Sequence, residues 1–286
     1  MTTMGAKGEK HHYLPVFYLR QWAGPKGQLC EYSRPYREVK PRSVHPDGTG
    51  YVRGLYAIEG LPVETANVIE TKFLKPADGL AAEALRAFIN DQPFTKPAKM
   101  RTSWSRFVLS LLLRYPESIE EMKRRLRENV ERMYAETKKE TDPPTFKEYE
   151  AIYGTDEMVR LHGKLLIDLM QDSKMGRMIF GMHWGVVTFE PRNYTFLTSD
   201  RPVITNIFRV GGNHMCLPIG PYKMFFACED EQSQGVFQQL DPLNVIRQMN
   251  DTIAKRAYKF VYGLDDRQLR FVENRLGRTP IKPVNF

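Results

Sequence analysis

The chain has 286 residues, 42% hydrophobic and 27% charged, an ordinary balance for a soluble globular protein with room for a sizeable core. No apolar run approaches the roughly 18 residues of a membrane span, the polar start lacks the apolar core of a secretion signal, and three scattered cysteines make no disulfide framework, so a reducing cytoplasm is expected. A net charge of +8 favours polyanions such as nucleic acid or nucleotides, but the cations are spread along the chain.

Residues 10–20, Lys-His-His-Tyr-Leu-Pro-Val-Phe-Tyr-Leu-Arg, place two imidazoles, two phenols and two cations among apolar residues. Pro15 suits the first turn of a helix. A turn at residues 24–27 leads to alternating segments at 28–33 and 36–40, read as a hairpin around Arg34-Pro35. A second turn covers 47–50, and residues 54–58 suggest a short strand.

The middle reads as helical. Residues 64–88 have helical composition with an interruption at 75–79. Ser103 is the expected N-cap of a central helix carrying Trp104, Phe107, Val108, Leu111, Leu112 and Tyr115. Another helix starts at Glu117, with Ile119, Met122, Leu126, Val130 and Met133 on one face. Its other face is strongly charged; the cations of the run at 123–127 lie among glutamates, a pattern of surface pairs before it is a nucleic-acid groove. Asp156 is placed to cap a further helix through Leu169.

Beyond Gly181 the period shortens to that of strands, expected at 184–190, 194–198, 215–219 and 222–228. Pro242 opens a helix expected to reach about Tyr262, and a short helix follows Asp265-Asp266 and ends at Gly277. The order predicts an α+β fold: a mainly helical middle block packed on a small, largely antiparallel sheet formed by N-terminal and C-terminal strands.

Several residues carry candidate chemistry. His11 and His12 are adjacent, so their side chains diverge; the alternatives are metal ligation or proton transfer, a phosphate held together with Lys10 and Arg20, or a plain, partly exposed position before the helix. Thr198-Ser199-Asp200 ends a strand-like run, where Asp200 makes an Asx-turn or acts as a general base, a metal ligand or the orienter of a histidine. Asn250 shares a face with Ile246, Ile253 and Ala257, so its amide ties helix to loop or faces a cleft. Arg114 needs an anionic partner if it points inward. Other signatures fail: His214, Cys216 and Cys228 lack paired zinc spacing, and His162…Asp168 has the wrong spacing for a phosphodiesterase motif. There is no nucleophile elbow, phosphate-binding glycine loop or Rossmann fingerprint. No residue set specifies a metal site or a cofactor.

These segments resemble a bacterial family, domain of unknown function 4238. Residues 12–20 are similar to its His-Tyr-Val-Pro-x-Phe-Tyr-Leu-Arg signature, and residues 196–203 to its Phe-Ile-Thr-Ser-Asp-Asn-Pro-Val signature. Residues 217–221, Arg114-Tyr115-Pro116, and Met249-Asn250 followed by residues 257–262 also correspond. Arg201 stands where the family often has Asn, and Gly220 where Ser is usual. The resemblance implies one continuous domain over residues 11–278, with residues 1–10 as a flexible tail and 279–286 as an extended one.

Together these features predict a polar cleft for a phosphate-bearing ligand, a nucleotide or nucleic acid, without a membrane partner. Phosphodiester hydrolysis is the most economical reaction, with His12 and Asp200 as the catalytic pair. His11, Tyr13, Arg20, Arg114, Thr198, Ser199 and Asn250 are the ligand-binding candidates. A non-catalytic binding module, its polar residues acting as structural pins, is the alternative.

Overall fold

The computed structural model describes residues 9–55, 75–153, 174–190, 194–208, 210 and 212–279. The expected helix after Asp156, the strand end at 56–58, the start of the 64–88 helix and almost all of the two tails lie outside them. The architecture is α+β, with helices against small antiparallel sheets.

Among the described residues β1 (Lys10–His12) pairs only with β4 (Tyr51–Arg53), and α1 (Val16–Leu19) follows Pro15 and runs into a 3-10 turn at Arg20–Trp22. A four-stranded sheet has the order β3-β2-β10-β6, from β2 (Leu29–Ser33), β3 (Lys40–Val44), β6 (Thr198–Ser199) and β10 (Phe260–Gly263). This sheet joins the two ends of the chain. The other, in the order β5-β9-β8-β7, is formed by β5 (His183–Thr188), β7 (Ile204–Thr205), β8 (His214–Gly220) and β9 (Lys223–Cys228). The expected antiparallel sheet of N-terminal and C-terminal strands is the first of these, and the described residues add two further antiparallel sheets beside it.

Several boundaries differ from the sequence reading for local reasons. Ser33 pairs with Lys40, so the hairpin loop spans residues 34–39 and the second strand lies later. That strand is an edge, which is why Pro41 is tolerated in it. The central helix, α3 (Pro97–Leu113), begins at Pro97, a residue preorganised for a first helical turn, and Ser103 lies buried inside it. Tyr115 leaves that helix and precedes the first turn of α4 (Pro116–Thr137). The helix from Pro242, α8 (Pro242–Arg256), stops six residues before Tyr262, because residues 260–263 pair as a strand with both β2 and β6. Residues 194–197 form no ladder; only Thr198–Ser199 does.

The remaining helices among the described residues are α2 (Lys75–Ile89), α5 (Phe146–Tyr153), α6 (Lys174–Gly181), α7 (Glu231–Gln238) and α9 (Leu269–Glu273). One core surrounds Trp104 of α3, whose ring lies 5.0–5.4 Å from Phe88, Phe107 and Phe225. The other packs the apolar face of α8 (Val245, Ile246, Met249 and Ile253) against the sheets. Among the described residues no helix is long and apolar enough to cross a membrane.

Candidate ligand cavity

The later signature forms a crossing point between strands. Thr198 and Ser199 pair with Tyr262 and Val261, so Asp200 emerges beside the entry to β10. Its carboxylate turns back over that entry and accepts the N–H groups of Tyr258, Lys259 and Phe260 at 2.9, 2.6 and 2.8 Å. Ser199 Oγ accepts the Arg201 N–H at 3.1 Å. Asp200 is 4% exposed, and its burial pushes the carboxyl up to about 6, although the three N–H groups pull the other way.

The opening signature does reach this crossing, but through its tyrosines. The Tyr18 hydroxyl donates to the Pro218 carbonyl at 2.8 Å and meets Thr198 Oγ at 2.7 Å. Trp22 Nε1 donates to the Phe196 carbonyl at 2.8 Å. Tyr13 is buried close enough to Asp200 for that charge, after burial itself, to raise its phenol pKa.

The remaining predicted residues are dispersed. His11 and His12 point to opposite faces of β1; His11 is buried, and the His12 ring lies 5.5 Å from that of Tyr51. No hydrogen bond or ion pair joins His12 to Asp200 among the described residues. Burial lowers the His12 pKa, and its Nε2 is sealed from solvent without a hydrogen-bond partner. Arg114 is buried and pairs with Asp78 through two nitrogens at 3.0 and 3.3 Å. Arg20 is exposed, on the 3-10 turn. Asn250 points inward as its spacing requires: Oδ1 accepts the Leu197 N–H at 2.8 Å, and Nδ2 donates to the Thr195 carbonyl at 2.8 Å and to Gln268 at 3.2 Å. It borders a separate cleft of about 420 Å³ between α8 and α9.

Tyr13 and Asp200 are the two predicted residues that share a cavity, one of about 180 Å³. They form its inner part with Tyr115, while Tyr51, Tyr258 and Lys259 stand at the mouth. Arg201 is the dominant charge. Its guanidinium lies 5.3 Å from the Tyr115 ring centre and 5.4 Å from that of Tyr258, a double cation–π contact, and 3.5 Å from Glu117. The side chain is 5% exposed. The Lys259 ammonium lies over Phe260 at 5.1 Å and has no carboxylate partner among the described residues. Two cations thus face two carboxylates, of which Asp200 is already engaged by main-chain donors. The described residues contain no group of three or more histidines, cysteines and carboxylates placed to hold a metal ion.

Arg201, Tyr115, Glu117, Tyr258 and Lys259 were not singled out by the sequence as ligand-facing residues. The signal for Arg201 was present, as a bulky cation where the resembling family often has a small amide. The cavity tyrosines, Tyr13, Tyr51, Tyr115 and Tyr258, come from four separate segments, and nothing local marks them as neighbours.

None of the curated proteins or solved structures compared matches the chain. A family model does: that of the proteins of unknown function termed DUF4238, over residues 10–267. The matched span takes in both signatures, the cavity, and the α8 helix that carries Asn250. The chain belongs to the DUF4238 family.

Proposed function

We propose that the chain binds a small ring-bearing phosphate ligand of the nucleotide class in the tyrosine-lined cavity, and that Thr198, Ser199, Asp200 and Asn250 are hydrogen-bonded pins holding the surrounding walls. The observation that carries this is the Arg201 guanidinium, buried between two tyrosine rings, beside a mouth that bears the ammonium of Lys259, which has no carboxylate partner among the described residues. The cavity volume, about 180 Å³, falls below the roughly 300–1,000 Å³ of pockets for drug-sized ligands. It therefore suits one ring, with sugar and phosphate left at the mouth near Lys259. Stacking on tyrosine contributes about 1–3 kcal/mol per base, and a charge-assisted hydrogen bond about 1.5–3 kcal/mol. The net charge of +8 adds a general attraction for anions, and three buried free thiols fit a protein of the reducing cytoplasm.

Phosphodiester hydrolysis is the second reading. It is favoured by His12, an imidazole kept neutral by burial one ring behind the mouth, and it requires Nε2 to be uncovered when ligand binds. Calorimetric titration with AMP, GMP and a cyclic nucleotide at low salt tests binding, and product analysis of the same mixtures tests hydrolysis. Arg201→Met and Tyr258→Ala are expected to weaken binding about tenfold each. Wild-type protein giving neither heat nor a thermal shift with any of them would exclude the nucleotide reading.

A further inference from the structure

The cleft of about 420 Å³ between α8 and α9 shares no lining residue with the tyrosine cavity. Its volume falls within the roughly 300–1,000 Å³ of small-molecule pockets. Its apolar lining comes from Ile246, buried on α8, and from the rings of Tyr194 and Phe271. The amides beside them are already engaged: Asn250 donates to the Thr195 carbonyl and to Gln268, and Gln268 donates to Thr195 in turn. What the cleft holds in excess is positive charge. Asp251 is the one carboxylate among its described lining residues, and both of its oxygens are taken, Oδ1 by Arg275 Nε and Oδ2 by the Lys255 ammonium, each at 2.7 Å. Arg247 stands four residues before Asp251 on α8, the spacing at which opposite charges on a helix meet. Among the described residues no ion pair joins the two. Arg247 lies instead over Tyr194, its guanidinium 5.9 Å from the ring centre, with no hydrogen bond or carboxylate partner among the described residues. Arg275 lies over Phe271 at 3.9 Å, and its Nη2 likewise has no partner among them.

We infer that this cleft is a second ligand site, which takes a small carboxylate carrying an apolar ring: the ring lies among Ile246, Tyr194 and Phe271, and the carboxylate accepts the N–H groups of Arg247. The planar fork of a guanidinium matches the two oxygens of a carboxylate, whereas a phosphate monoester has three oxygens to satisfy and Arg247 supplies a single fork. The inference stands apart from the nucleotide reading, since it uses none of that cavity's residues.

The test titrates benzoate, phenylacetate and cinnamate calorimetrically into wild-type protein at low salt, each beside its uncharged amide, with phenyl phosphate as the competing anion. At least one carboxylate is expected to bind with a millimolar or lower Kd, and at least about tenfold more tightly than its amide. Arg247→Met is expected to weaken that carboxylate about tenfold and to leave the amide unchanged. Arg247 is exposed and lies against one ring, so this variant is expected to melt as wild type does. Arg201→Met, in the other cavity, is expected to leave carboxylate binding unchanged, which separates the two sites. The inference is overturned by the absence of heat from all three carboxylates at about 10 mM, by amides binding as well as their acids, or by wild-type affinity in Arg247→Met. Carboxylate binding lost in Arg201→Met, or phenyl phosphate bound more tightly than every carboxylate, overturns it as well.

Discussion

Replacing Asp200 by alanine separates a structural pin from a reacting group. The carboxylate satisfies three main-chain N–H groups at 2.6–2.9 Å where the chain enters β10. Leaving one buried donor unpaired costs about 1–3 kcal/mol. Tyr258 and Lys259 are exposed, so water can reach part of the gap, and a total of about 4 kcal/mol is reasonable for the three. Unfolding entropy of roughly 2.1 cal/mol/K per residue over 286 residues gives about 0.6 kcal/mol per degree. The melting temperature of Asp200→Ala should therefore fall by about 7 °C. Calorimetry or circular dichroism on matched samples measures it, with urea unfolding as a check. A variant melting within about one degree of wild type would refute the pin; loss of a measured activity alongside such normal melting would restore Asp200 as a reacting group.

The remaining predictions concern acid, the interior and the cavity. The folded-state pKa of Asp200, about 6, lies above the usual carboxylate value of 3.8, so the native state takes up this proton first. Its contribution to stability should grow as pH falls from 7 towards 4, by up to about 3 kcal/mol, and disappear in Asp200→Asn; a wild-type-minus-variant difference of opposite slope counts against it. Asn250→Ala leaves the Leu197 N–H unpaired in the interior, while the Thr195 carbonyl keeps Gln268, so urea unfolding should report a loss of about 2–3 kcal/mol. Arg114→Met strands the Asp78 carboxylate and should cost about 3–5 kcal/mol by the same measurement. In β5, a Cβ on Gly185 would overlap the Phe226 ring, itself stacked on Phe237 at 4.6 Å, so Gly185→Ala should cost about 1–3 kcal/mol in urea unfolding.

Features held by local chemistry were legible in the sequence. The apolar spacing of α3, the proline start of α8 and the inward amide of Asn250 each follow from a few neighbouring residues. Ends decided by distant partners were not. Residues 257–262 extend the α8 pattern on paper, yet they leave the helix because Asp200 holds their N–H groups and β2 and β6 flank the strand. The candidate site divides the same way. Thr198-Ser199-Asp200 stood out as polar groups closing an apolar run, but the cavity wall combines Tyr13, Tyr115, Arg201 and Tyr258, whose meeting depends on topology.

The clasp made by Tyr18 and Trp22 spans 174 to 200 residues of chain. Such closures are slow, since the entropy of a long loop is lost before its contacts form. On a ribosome the amino-terminal segment must wait, with its aromatic rings uncovered, until the partners of Tyr18 and Trp22 emerge. Nascent chains halted before residue 218 should therefore engage holding chaperones through this segment.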